Sequence, residues 1–105
     1  MNKIAELNDK FRTTFRGGRV VTTAAFAQLP KSTKAKALQA VRMFSAFTKE
    51  NDPYGEHEFG SFEVDGERIM FKIDCYDRQM QFGSPDPANP IVTIRVLTIL
   101  LASDY

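Results

Sequence analysis

The residues best equipped for chemistry sit in two short stretches, NDPYGEHEFG at positions 51–60 and DCYD at 74–77. Between them they hold the chain's one histidine, His57, its one cysteine, Cys75, the carboxylates Asp52, Glu56, Glu58, Asp74 and Asp77, and the phenols of Tyr54 and Tyr76. A histidine among acids suits acid/base catalysis, where a carboxylate orients and tunes the imidazole, and it suits a divalent metal. For catalysis the available pair is His57 with Glu58 or Asp74, but a nucleophile is lacking. Cys75 falls on the apolar face of its strand, where a thiol acts as a small hydrophobe. For a metal the spacing is wrong. If residues 56–58 are extended, Glu56 and Glu58 share one face and His57 takes the other, and neither HExxH nor a cysteine pair is present. The sequence therefore assigns no catalytic residue, no metal ligand and no cofactor. Two uses remain for these polar groups: hydrogen bonds that fix a chain joint, or a surface on which a partner docks.

Net charge is only +1, but its distribution is uneven. Residues 1–49 carry ten Lys or Arg against two acids, whereas residues 50–77 carry nine acids against two Lys or Arg. Such asymmetry marks either two faces that neutralise each other across the fold or a charged docking surface. In the basic half, Lys10, Arg12, Arg16, Arg19, Lys34 and Arg42 are the candidates for a phosphate-binding stripe. The aromatic interleaving of single-strand binders is missing, because the Phe residues follow core periodicity.

Some 105 residues, 43% of them hydrophobic and 26% charged, make one soluble domain spanning 1–105. No apolar run reaches the length of a membrane span and the N-terminus lacks a secretory pattern, so a cytoplasmic protein without a membrane partner is expected. Ile4, Leu7, Phe11 and Phe15 fall on one stripe and predict a helix over 3–16, stopped by Gly17-Gly18. Arg19–Thr23 reads as a short strand, Ala24–Leu29 as a helical turn ended by Pro30, and 33–47 as a long helix capped by Ser32. The hairpin is the clearest element: strands at 56–64 and 67–76 alternate about Asp65-Gly66, a favoured two-residue turn. That pairing gathers the two polar stretches at one end, with Glu58 near Cys75 or Asp74, unless Gly60 bulges the strand. Segment 90–103 is β-branched, yet Asn89-Pro90 resembles a helix start and Ile91, Ile94, Leu97 and Leu101 share a helical face; a helix is predicted there. The expected fold is α+β, a small antiparallel sheet around the hairpin, with strand 19–23 as a candidate further member, packed by helices near 3–16, 33–47 and 90–103.

NDPYGEHEFG, FEVDG, KIDCYD and RVLTILLASDY together resemble a bacterial family catalogued as a domain of unknown function, DUF3768. The likeness extends to IAELNDKFR and GGRV near the N-terminus. It implies an accessory gene of plasmids and other mobile elements, often near anti-restriction genes, and no mechanism. The function expected from residues and resemblance together is a non-enzymatic inhibitor of a host defence system, anti-restriction or anti-CRISPR, acting by stoichiometric protein binding. Its docking surface would comprise Asp52, Tyr54, Glu56, His57, Glu58, Asp74, Tyr76 and Asp77. The rivals are a small metal-dependent or acid/base hydrolase centred on His57, Glu58 and Asp74, and a nucleic-acid binder using the basic half.

Overall fold

The computed structural model describes residues 1–105. Helix α1, Lys3–Thr14, starts at Asn2, whose side chain accepts from the Ala5 amide at 2.7 Å. It stops two residues before the glycines expected to end it. Phe15 itself takes the left-handed conformation, φ 58°, and its amide donates to the Phe11 carbonyl at 2.7 Å. Strand β1, Arg19–Thr22, leads into the single turn α2, Ala24–Ala27, capped by Thr23. Helix α3 runs Lys31–Met43, beginning directly after Pro30 with no side-chain cap. It is therefore earlier and shorter than 33–47, and Phe44 turns to extended backbone. The early stop lets Phe44 and Phe47 both reach one aromatic cluster, edge to face at 5.0 Å, with Phe44 also 5.3 Å from the Phe71 ring.

Strands β2, Phe59–Val64, and β3, Glu67–Tyr76, pair antiparallel about Asp65-Gly66, both at positive φ as a two-residue hairpin turn requires. The Asp65 carboxylate accepts from the Thr33 hydroxyl at 2.8 Å and from Lys36 Nζ at 3.0 Å, bonds that hold its carboxyl below the usual range and tie the turn to α3. The first strand begins at Phe59 rather than residue 56, because His57 sits at φ 56° and breaks the alternation assumed for Glu56–Glu58.

The segment expected as a third long helix is instead strand β4, Ile94–Leu101, followed by a 3-10 turn, Ala102–Asp104. Asn89 does not cap a helix; its side chain accepts from the Ile91 amide two residues on, a local turn. Lying between two other strands, this one buries Arg95, Leu97 and Ile99 on one face, while Ile94, Val96 and Leu100 keep the less covered face apolar too, so its sequence matches a helical stripe as readily as an alternating one. β4 occupies that central place: the order is β1-β4-β3-β2, with β1 parallel to β4 and the other pairs antiparallel. The fold is α+β as expected, but the sheet is mixed and four-stranded.

The helices lie on the face that presents Ile69, Phe71 and Ile73 from β3 and Leu97 and Ile99 from β4, against Phe11, Phe26 and Val41. No bulge forms at Gly60, which pairs in register with Phe71. Its glycine is needed for a different reason: a Cβ there would meet the Phe71 ring at 2.3 Å and the Phe44 ring at 2.9 Å. Gly60→Ala is therefore expected to cost at least about 2 kcal/mol in chemical denaturation, as overpacking of a closed core does. Phe44→Leu in the same chain should restore part of that loss by vacating the space.

Candidate functional site

The loop from Phe44 to Glu58 has no regular structure, and α1 holds it in place. Asn2 Nδ2 donates to the Gly55 carbonyl at 3.0 Å, and Asn8 Nδ2 to the Glu56 carbonyl at 2.9 Å. Asp9 takes the His57 ring: Nδ1 lies 2.9 and 3.0 Å from the two carboxylate oxygens, and since an ionised carboxylate only accepts, Nδ1 carries the proton. The ring stacks on Phe47 at a centroid distance of 4.0 Å and an interplanar angle of 2°. Its far nitrogen, Nε2, stands 3.7 Å from an Asp52 oxygen. Asp52, nearly buried, accepts the amides of Glu56 and His57 at 3.1 and 3.2 Å, the bonds that bend the chain through its positive φ.

His57 is thus gripped from both edges and one face. Such an imidazole fixes the loop. Glu58 lies beside Asp74, as the hairpin register predicts: its carbonyl accepts the Ile73 amide at 2.8 Å, and the Asp74 charge acts on its carboxyl. The His57 ring turns instead to Asp9 and Asp52. No three of the His, Cys, Asp and Glu side chains are grouped to hold a metal ion.

The acids that remain near one another are Asp52, Glu56, Glu58 and Asp74. Partial burial pushes the Glu58 carboxyl up, and the charges of Glu56, Asp52 and Asp74 add to it. Burial also pushes the Cys75 thiol up, with Glu56, Asp74 and Glu58 adding to it while Arg95 pulls the other way. A thiol held protonated is a packing group, as expected for this position. Tyr54 stands 76% exposed on the loop. Tyr76 is half-buried at the end of β3, on the same face as Asp74, and Asp77 serves a turn by accepting the Gln81 amide at 3.0 Å.

The basic candidates divide as well. Arg12 is buried, bonded to Asp9 at 3.0 Å and to the Val41 carbonyl at 2.7 Å, so it faces no ligand. Arg42 donates to the Thr13 carbonyl at 3.1 Å over the Phe15 ring, and Lys34 to the Ala27 carbonyl at 2.9 Å. Lys10, Arg16 and Arg19 are exposed. The sequence reading missed Asn8, Asp9 and Phe47 as the partners of the polar motif. The Asp9–Arg12 spacing of three was a legible sign that α1 carries an ion pair.

Two outcomes check this account. His57→Ala, which deletes the Asp9 bond and the Phe47 stack, should cost roughly 2 kcal/mol in denaturant unfolding; an imidazole kept only for chemistry would leave stability unchanged. Glu58 has a folded-state pKa above its ordinary value of 4.5, so the folded state binds its proton more tightly and stability falls as pH rises through that pKa. Glu58→Gln should accordingly raise the melting temperature at pH 7 by about 2 °C, a modest figure because the group is partly screened by water. The gain should vanish near pH 3, where both chains carry a neutral side chain.

No curated protein and no solved structure matches the chain. Residues 22–104, from the end of β1 through the hairpin, the acidic cluster and β4 to the terminal turn, match the family described as Protein of unknown function (DUF3768). Helix α1 and the GGRV stretch lie ahead of the matched segment. With most of the chain matched and the NDPYGEHEFG loop and its supporting hairpin inside that span, the protein belongs to the DUF3768 family.

Proposed function

We propose that this protein is a non-enzymatic binding protein that docks a basic face of a partner protein through the acidic end of its hairpin. The observation that carries the reading is the crowding of Asp52, Glu56 and Asp74 about Glu58, strong enough together with burial to raise its carboxyl. Asp74 already meets Lys72 Nζ at 3.2 Å, but Glu56 and Glu58 are in no ion pair, so like charges there store repulsion that a partner's Lys or Arg would relieve. Beside it, Tyr54 offers an exposed ring on a backbone already fixed by Asn2, a contact residue with little entropy left to lose.

The division of labour within the motif supports the same reading. Asp52 and His57 hold the loop's shape, and Tyr54, Glu56 and Glu58 project from it, joined by Asp74 across the sheet. A hydrolase would need a substrate space beside the His57 Nε2, which stands 3.7 Å from Asp52 in a ring held by Asp9 and stacked on Phe47. The partner class we favour is a host defence complex, with the protein acting as a stoichiometric inhibitor of mobile-element origin; the basis is the family resemblance, and docking by charge and shape is the only chemistry such inhibition requires.

The test is affinity capture from a bacterial lysate with three tagged proteins, the partner then being purified for titration. Wild type and the control Glu67→Lys, a charge reversal at the far turn of the hairpin, should retain the same partner. The triple variant Tyr54→Ala, Glu56→Lys, Asp74→Lys should bind it at least tenfold more weakly, and salt should weaken the wild-type complex. Equal binding by the triple variant and wild type, or no retained partner, overturns the reading.

A further inference from the structure

Besides the acidic end, the molecule contains a second electrostatically incomplete place, and it is centred on Arg95. This side chain leaves the middle strand β4 and is buried to 3% exposure. Its Nε donates to Asn8 Oδ1 at 2.8 Å and its Nη2 to the Pro87 carbonyl. Both acceptors are neutral. Nη1 meets no protein acceptor, and no ion pair in the molecule includes Arg95. The acids Glu56 and Glu58 share Cys75 as a neighbour with Arg95 but form no ion pair with it; Asn8 links Arg95 to the Glu56 backbone carbonyl.

A buried guanidinium oriented by neutral dipoles alone is costly, and proteins ordinarily pair such a charge. Arg95 instead opens onto a cavity of about 200 Å³ between α1 and the Pro90 loop. The other polar side chains lining this cavity are Lys10 and Arg16, both otherwise exposed and neither in an ion pair. Its apolar walls are Leu7, Phe11 and Pro90, and no carboxylate lines it. Gly17, at φ 102°, forms the rim where the chain leaves α1 and lets the backbone turn past the opening.

We infer that this cavity is a binding site for a phosphate group, with the buried Arg95 as its fixed fork and Lys10 and Arg16 closing over it. A planar guanidinium held by its other nitrogens presents its remaining donors in one direction, the geometry that recognises a tetrahedral oxyanion, and two mobile cations complete the charge. The phosphate is either free or borne by a nucleotide; a 5′-nucleotide would lay its sugar or base against the apolar wall at Leu7 and Pro90. This site is independent of the acidic docking face, and neither depends on the other.

The experiment is an NMR titration of the whole chain with inorganic phosphate and, separately, with adenosine 5′-monophosphate, each against sodium chloride at matched ionic strength. Saturable shifts in the amides of residues 7–18 and 87–95, with a dissociation constant at or below about 1 mM, are expected. Lys10→Gln and Arg16→Gln change exposed side chains and should leave the fold intact, so each should weaken binding about tenfold, the loss of one charge-assisted bond. Comparable affinity for both probes assigns the site to free phosphate; at least tenfold tighter binding of the nucleotide assigns it to a nucleotide. Shifts that follow ionic strength alone, or that persist unchanged in both variants, overturn the inference.

Discussion

One buried cation organises the helical layer. The Arg12 guanidinium, inside the protein on α1, carries its counterion on the same helix, Asp9, three residues back. It reaches across to the last turn of α3, where Nη1 donates to the Val41 carbonyl at 2.7 Å, and this satisfies one of the acceptors a helix leaves open at its C-terminus. Arg42 returns the favour from α3 to the Thr13 carbonyl at the end of α1, so each helix is closed by the other's arginine. The faces of the Arg12 plane lie over Phe47 and Phe71, each centroid 5.4 Å away. One donor, Nε, is left without a partner in that apolar setting. The ion pair is retained at that cost because Asp9 has a second task. It grips His57, His57 stacks on Phe47, and Phe47 lies under Arg12, which closes a ring of four residues from three separate parts of the chain. Removing Asp9 would leave both the buried Arg12 guanidinium and the His57 ring without their carboxylate, a costly vacancy in a small core.

That ring decides what the polar motif is able to do. Fixing the loop consumes its imidazole and the Asp52 carboxylate, the two groups with the most chemical promise in the sequence. The residues left over are acids and a phenol facing water. Their strain is purely electrostatic, and electrostatic strain on a rigid support is useful for recognition, since the support need not reorganise when a partner arrives. The loop's irregular backbone is thus an expense met by α1, and the proposed docking face would be its consequence.

What the sequence made legible follows how local each signal is. The hairpin, its Asp65-Gly66 turn and the helix α1 all depend on residues within a few positions of one another, and all stand in the structure, although of the α1 stripe only Phe11 is fully buried. The failures are non-local. β4 reads as a helix because apolar residues on its less covered face, Ile94, Val96 and Leu100, blur the alternation that would identify a strand; only its run of β-branched residues told against the helical stripe. The end of α3 is set by where Phe44 and Phe47 must point, which no propensity records. The grip of Asp9 on His57 joins residues 48 apart, so a motif that looked self-contained owes its geometry to a helix that carried no chemical signature. Arg12 was read as an exposed cation because it sits off the apolar stripe, yet the buried face of α1 comprises Ala5, Asn8, Phe11 and Arg12. A long polar side chain beside a stripe can be drawn inward when a helix end and a carboxylate await it.

Arg12 and Arg95 make an instructive pair, since both are buried arginines and only one has an acid. Around Arg12 the charge is answered, although its Nε stays unpaired: a carboxylate counterion, backbone carbonyls of α3, aromatic faces and a matching arginine in return. Around Arg95 the polar groups are a carbonyl and an amide, which aim the guanidinium without neutralising it, and the space beyond it is open and lined by further positive charge. The same chain therefore shows that it can neutralise an internal arginine when the role is structural. Leaving the second one unneutralised, in a cavity with no acid on its walls, is a cost that stability alone does not explain, and a bound anion supplies what the fold withholds.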